Sequence, residues 1–402
     1  MSYTDRRSFL KASGSVAAAG ILAGCSEGGN GGGNGGSSGP ITVAALEPLS
    51  GPFSAWAGVH RAGLQFAVDE VNADGGVLDR ELELDVTDTG SDPAEADSAF
   101  RRSVEQNGAI VSTGAVSSDV GLRVAQTAAE LEVPHFLHMS GTDDVITQDT
   151  QYVFRVGLLP ASTYIRAQAT AFSDAGYSSL GAIVGDYAWG RSAESAIEEY
   201  FDADVNVQVA PLGADDFKSY IRQMPDDLEM LIASGHPPGS ATIANQVYEL
   251  GYTPDVVSGA STPPQLLSGV LSDDALEGYV HVHQSDPYTD QFVDAAEGFG
   301  EENDAQFNTH TAYGYMTGKM LAAAIEEAGE ADPAALAEAT RNIQFETLSP
   351  EPMQYSQYGE LDQAVVTYSR ILQEAPSYYS DGEYSYEELF RSDPVPAREP
   401  GQ

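Results

Sequence analysis

Ala109-Ile110-Val111-Ser112-Thr113-Gly114-Ala115-Val116-Ser117-Ser118-Asp119 begins as a short apolar run and ends in two serines and an aspartate that open a helical pattern. It reads as a strand running into a helix start. Gly114 and Ala115 let a ligand approach the backbone, while Ser117 and Ser118 offer hydroxyls. The first turn of the helix adds unpaired amide N–H groups with a partial positive charge. Such a turn suits a small carboxylate, and it equally suits a plain N-cap; at this level both readings stand.

The flanking segments repeat the same grammar. Upstream, Ile41 to Leu46 reads as a strand, Val59, Ala62, Gly63, Phe66, Ala67 and Val71 recur at helical spacing, and Leu82, Leu84 and Val86 alternate with polar residues as in a second strand. Asp92-Pro93 is a cap and first-turn pair for a helix carrying Ala96, Phe100 and Val104. Downstream comes a helix through Val120 and Leu131, then a strand from Pro134 to Met139 that ends in Ser140-Gly141-Thr142. This βαβα order predicts a parallel sheet covered by helices. The rhythm restarts after Leu158 and runs to Val257, which predicts a second lobe with ligands at the carboxyl ends of the strands. Beyond Tyr279 the expectation is three long helices, a final hairpin from Met353 to Glu374, and an acidic, frayed tail over 378–402.

Composition narrows the function. With 402 residues, 18 basic against 61 acidic side chains and a formal charge of −43, the chain lacks the basic patches that nucleic acid requires. Lys11, Lys218 and Lys319 are its only lysines, and this acid-coated surface resembles that of proteins from salt-loving archaea. Residues 1–25 read as an address. Asp5-Arg6-Arg7-Ser8-Phe9-Leu10-Lys11 resembles a twin-arginine export signal, and Leu22-Ala23-Gly24-Cys25 resembles a lipobox whose cysteine is acylated. Cys25 is the only cysteine, so no internal disulfide is possible. Residues 26–40 have the Gly/Ser/Asn composition of a flexible tether.

Four segments then carry a family resemblance: Thr42-Val43-Ala44 through Leu49-Ser50-Gly51-Pro52, Ala67-Val68-Asp69-Glu70-Val71-Asn72-Ala73-Asp74-Gly75-Gly76, Asp88-Thr89-Gly90-Ser91-Asp92-Pro93, and Ala188-Trp189-Gly190-Arg191. In order and spacing the chain resembles the leucine/isoleucine/valine-binding proteins, receptors of ABC importers with the type I periplasmic-binding-protein fold. The resemblance implies an α/β protein of two Rossmann-like lobes with mostly parallel sheets and three hinge crossovers, placed near 156–158, 281–283 and 348–354. Lobe 1 is expected over 41–157 with 283–349, and lobe 2 over 158–282 with 350–377.

The resemblance also implies a site. Ser118, with Ser117 beside it, matches the serine that holds a ligand carboxylate, and Ser140, Gly141 and Thr142 match the backbone and threonine pair after the next strand. Trp56 and Trp189, the only tryptophans, match aromatic positions of the cleft, and His236 stands where the second lobe often carries an aromatic residue. The family glutamate that pairs with the ligand ammonium is replaced by Ser261. A buried ammonium without an anion is costly, so either another acid serves or the ligand has no ammonium. Glu47 and Asp186 are the candidates; Glu47 reads equally as a solvated loop carboxylate.

Other constellations are weaker. His281 and His283 share a strand face but lack a third ligand and read as a hinge or surface pair. Gly314-Tyr315-Met316-Thr317-Gly318-Lys319 is one residue short of a phosphate loop and lies inside a helical pattern. No catalytic motif, cofactor or metal is expected. The expected molecule is a monomeric, lipid-anchored extracellular receptor that delivers a small solute, a branched-chain amino acid in the first place, to an ABC permease. A sensor of the same fold, or a receptor for short amides or urea, is the alternative.

Overall fold

Strands that lie inside a parallel sheet are covered on both faces and therefore read as continuous apolar runs. β1 (Ile41–Glu47) has that character and sits beside β2 (Leu82–Asp88) and β3 (Val111–Gly114), with β4 (His135–Leu137) and β5 (Val153–Arg155) beyond. The order is β2-β1-β3-β4-β5, and every pairing is parallel. The computed structural model describes residues 39–402 apart from 236–238, 260, 261, 263, 265, 266, 268, 380–382, 397, 399, 401 and 402. The twin-arginine segment, the lipobox with Cys25 and nearly all of the tether lie outside the described residues.

Helices α1 (Ser54–Ala73), α2 (Pro93–Asn107) and α3 (Ser118–Leu131) connect these strands. Asp92 caps α2 as its sequence position demands, accepting from the Ala94 and Glu95 amides, and Gly108 closes the helix at a φ of 73°.

A second sheet holds β6 (Leu180–Gly185), β7 (Val205–Ala210), β8 (Met230–Ser234), β9 (Val256–Gly259), β10 (Tyr279–His283), β12 (Thr367–Leu372) and β13 (Ser385–Arg391) in the order β13-β12-β10-β9-β8-β6-β7. It is parallel from β7 to β10 and antiparallel at its β12 and β13 edge. Its helices are α4 (Ala161–Ala175), α5 (Ala188–Tyr200), α6 (Lys218–Ile221), α7 (Gly239–Glu249) and α8 (Asp273–Gly278).

The chain crosses between the sheets three times. It leaves the first after β5, returns after β10 through α9 (Asp290–Glu302), α10 (Thr309–Ala328) and α11 (Pro333–Asn342), and crosses back before β11 (Gln363–Ala364) and β12. α10 lies along α1, and Gly314 is the reason it can: a Cβ there would stand 2.0 Å from the His60 carbonyl oxygen. The pattern that imitates a phosphate loop is thus a helix-packing surface.

Three expectations are corrected. The tail is not frayed: β13 pairs with β12, Tyr384 is buried, and β14 (Val395–Pro396) pairs with β11. Its acids hid a strand, because Glu387 and Glu388 lie on an edge where Arg370 and Arg391 reach them. The expected 353–374 hairpin forms only in part: Tyr355 and Leu361 bridge antiparallel around the turn at 356–360, but β12 takes β10 and β13 as its partners. Of the hinge and surface readings of His281 and His283 the surface one is overturned: both are buried in β10, the strand that leads into the second crossing, with His281 Nε2 3.1 Å from Thr309 Oγ1 and His283 Nε2 2.8 Å from Ser369 Oγ.

Candidate functional site

The turn after β3 is built under strain. Gly114 has a φ of 136°, and a Cβ there would meet the Leu46 carbonyl oxygen at 2.2 Å. Ala115 follows at a φ of 63°, a left-handed conformation costing about 1–2 kcal/mol for a residue with a side chain. Ser117 then takes the N-cap position in extended conformation without a side-chain cap bond, and α3 starts at Ser118. The helix start is left for another acceptor.

Ser118 faces a cavity between the carboxyl ends of the two sheets, with about 660 Å³ of space outside protein atoms, open solvent included. Phe53, Trp56, Val116 and Met139 line it from the first sheet's side; Tyr187, Trp189, Ser234, Gly259, Thr262 and Val282 line it from the second. Leu158 of the crossover and Tyr164, Ile165 and Gln168 of α4 complete the wall. Among the described residues the lining contains no Asp, Glu, Lys, Arg or His. Its polar equipment is neutral: hydroxyls, the Trp189 Nε1–H and Gln168 Oε1, the last two buried without a protein partner.

Both sides are in contact across the cleft. The Thr142 and Ser192 hydroxyls lie 3.0 Å apart, and Ser192 Oγ also accepts from the Asp143 amide at 3.2 Å. Gly141 lies against the Trp189 indole, where a Cβ would fall 2.7 Å from Cδ1. Phe53 and Tyr187 meet edge to face at 6.4 Å.

Of the residues singled out from sequence, Trp56, Ser118 and Trp189 line the cavity. Ser117 is buried beside it. Ser140, Gly141 and Thr142 are buried just behind the wall: Ser140 packs against Gly121, and the Thr142 hydroxyl is engaged by Ser192. His236 and Ser261 lie outside the described residues. Both acid candidates are corrected. Asp186 is exposed and 3.4 Å from Arg191 Nη1, because the chain turns outward before α5. Glu47 is neither a cavity acid nor a solvated one: it is fully buried, with His60 Nδ1 2.7 Å from its Oε1.

Sequence reading missed two residues beside it. His60 and His138 are buried and stack with centroids 3.3 Å apart, and with Glu47 they bring one ligand atom each within 4.8 Å of the others. Burial pushes Glu47 up to about 7, His60 down to about 3, and His138 well below the usual imidazole range. The three stand 13 and 78 positions apart, beyond any local spacing rule, with His60 on an apolar helix face and His138 in an apolar run.

The family model described as Periplasmic binding protein matches residues 40–372. The chain belongs to this family. Leu/Ile/Val-binding protein BraC3 of Rhizobium johnstonii is 25% identical over 304 residues, covering 73% of this chain and 81% of the relative. The leucine-, isoleucine-, valine-, threonine- and alanine-binding protein of Pseudomonas aeruginosa is 23% identical, over 76% and 83%. Among solved structures, an ABC transporter substrate-binding protein from Sphaerobacter thermophilus superimposes with a TM-score of 0.74 at 22% identity, covering 89% of this chain and 98% of its own. A solute-binding protein from R. palustris in complex with benzoate gives 0.76 at 19%, covering 90% and 99%. The two sheets and three crossings are the type I periplasmic-binding-protein fold, and the relatives are substrate-binding proteins rather than enzymes. No helix among the described residues is long and apolar enough to cross a membrane.

Proposed function

We propose that this protein is the extracellular solute-binding lipoprotein of an ABC importer, and that it captures a small apolar or aromatic monocarboxylate lacking an ammonium group. Twin-arginine export, acylation at Cys25 and a tether over 26–40 would hold it at the cell surface, within reach of a permease. The charge of −43 suits a saline medium in which self-repulsion is screened.

The carrying observation is the cavity wall, aromatic and aliphatic with no acid among its described residues. An ammonium enclosed there would lose its water without gaining a counter-charge. A carboxylate has partners in the start of α3, the Ser118 hydroxyl and the Trp189 Nε1–H. Closure adds Trp189 and Tyr187 to a ligand already resting on Trp56 and Ser118, so ligand favours the closed state by differential contact. The R. palustris protein in complex with benzoate supports the reading at the level of fold. The second reading is a branched-chain amino acid, supported by the specificities named for the Rhizobium and Pseudomonas relatives.

Titration calorimetry at high salt with benzoate, 4-methyl-2-oxopentanoate and leucine separates the readings. The acids should bind and leucine should not, and Ser118→Ala should weaken the acids about tenfold. Binding of leucine without its keto acid overturns the absence of an ammonium partner.

A further inference from the structure

We propose that Glu47, His60 and His138 form a binding site for one divalent transition metal of the zinc class, set behind the first-sheet wall of the cleft. Glu47 is the last residue of β1, His60 faces inward from α1, and His138 directly follows β4. Three separate elements thus deliver a carboxylate and two imidazoles to one point, all at most 1% exposed.

The mutual approach of the donor atoms, within 4.8 Å, is close to what one ion needs: ligands ~2.0–2.1 Å from a tetrahedral zinc stand ~3.3 Å from one another. Stacked rings direct their nitrogen lone pairs parallel, so binding requires the two imidazoles to splay. The present arrangement leaves them reason to do so. Glu47 Oε2 and His60 Nε2 have no hydrogen-bond partner, and neither ring nitrogen of His138 has one of good geometry, although the Gly114 carbonyl acts on it as an acceptor. Buried polar atoms nearly always have partners, and several lacking them at one point mark a place where a ligand is accommodated.

Two imidazole nitrogens select zinc-class ions over the magnesium and calcium that surface carboxylates attract. Water is the natural fourth ligand. Trp56, one helical turn before His60, and Met139, next to His138, both line the cleft, so the site lies one side chain behind its wall. Metal binding would fasten the end of β1, α1 and the segment after β4 to one another.

The test uses the full chain at high salt, stripped with chelator and refolded with or without Zn2+ or Co2+. Expected are one equivalent of retained zinc, visible absorption bands from nitrogen-ligated Co2+, and a melting temperature raised by several degrees over the metal-free protein. His138→Ala should weaken binding at least a hundredfold, and Glu47→Gln tenfold to a hundredfold. Glu47→Gln is nearly isosteric and carries the comparison if His138→Ala does not fold. Equal retention of zinc by wild type and variants assigns it to surface carboxylates and overturns the site. Absence of retained metal after refolding does the same. The metal-free protein titrated with benzoate keeps the solute reading separate.

Discussion

Glu47 and Glu360 are both buried carboxylates beside a basic side chain, and they are wired very differently. Arg155, at the end of β5, donates from Nε to both Glu360 oxygens at 2.7 and 2.9 Å, and the Leu361 amide donates to the same carboxylate at 3.1 Å. Arg155 Nη1 donates to the Ser140 and Leu158 carbonyls at 2.6 and 2.9 Å, and Tyr355 donates to the Arg155 carbonyl. Of these polar atoms only Nη2 is left over. Glu47 has a single bond, to His60, and unpartnered atoms around it. A buried charge with almost every valence used ties segments together; one with valences left over has room for a ligand. Through Ser140 and Leu158 the Arg155–Glu360 pair also holds the backbone next to the cleft.

The largest effect should come from breaking the wired pair. Glu360→Gln leaves the Arg155 charge buried without its counter-charge and should cost about 3–5 kcal/mol in denaturant unfolding at fixed high salt. The solute should bind more weakly as well. A loss under about 1 kcal/mol would erase the distinction between the two carboxylates.

Acidification probes the other side. His60 and His135 are lowered by burial to about 3 and His283 to about 4, with His138 and His281 also well down. The folded state therefore binds fewer protons than the unfolded one. Their stabilisation is complete above pH 6.5 and is lost as pH falls toward the folded values. Glu47, raised to about 7, works the other way: its contribution is present below 4.5 and disappears as pH rises through 7. Between pH 6.5 and 5 five histidines oppose three carboxyls, Glu47 together with Asp143 and Glu360, which burial also raises, so the melting temperature of the metal-free protein should fall. Each group contributes up to ~1.4 kcal/mol per pH unit. A rise over that window would contradict the buried, neutral state of these imidazoles.

The smallest effect is expected from Glu47→Gln without metal, within about 1 kcal/mol of wild type, since little hydrogen bonding is removed. The contrast should appear on adding zinc, which should stabilise wild type clearly more than the variant at the same metal concentration in the same melting assay.

Local chemistry made much of this molecule readable in advance. Asp92-Pro93 and Gly108 bound α2 because a cap acts over three residues, and buried parallel strands announce themselves as apolar runs. The strand-to-helix turn at Ser118 was visible for the same reason, whereas the cleft positions of Trp56 and Trp189 were implied only by the resemblance to the leucine/isoleucine/valine-binding proteins. The strand in the tail was not, because its acids are explained by arginines on β12 and β13 themselves, which become neighbours only when the sheet forms. Nor was the fate of Glu47 and Asp186, two acids at similar strand ends. One turns in toward His60 and the other out toward Arg191.

The sequence by itself determined the alternation of strands and helices, the switch to long helices after β10, the acidic surface and the turn that opens α3, since propensity, capping and periodicity act over a few residues. Tertiary structure alone decided which polar groups meet. The cavity with no acid among its described residues, the wired Arg155–Glu360 pair and the Glu47–His60–His138 cluster each join residues far apart in the chain, and burial then sets the charge of the last two. Burial is a property of the assembled core, so it is absent from any stretch read alone.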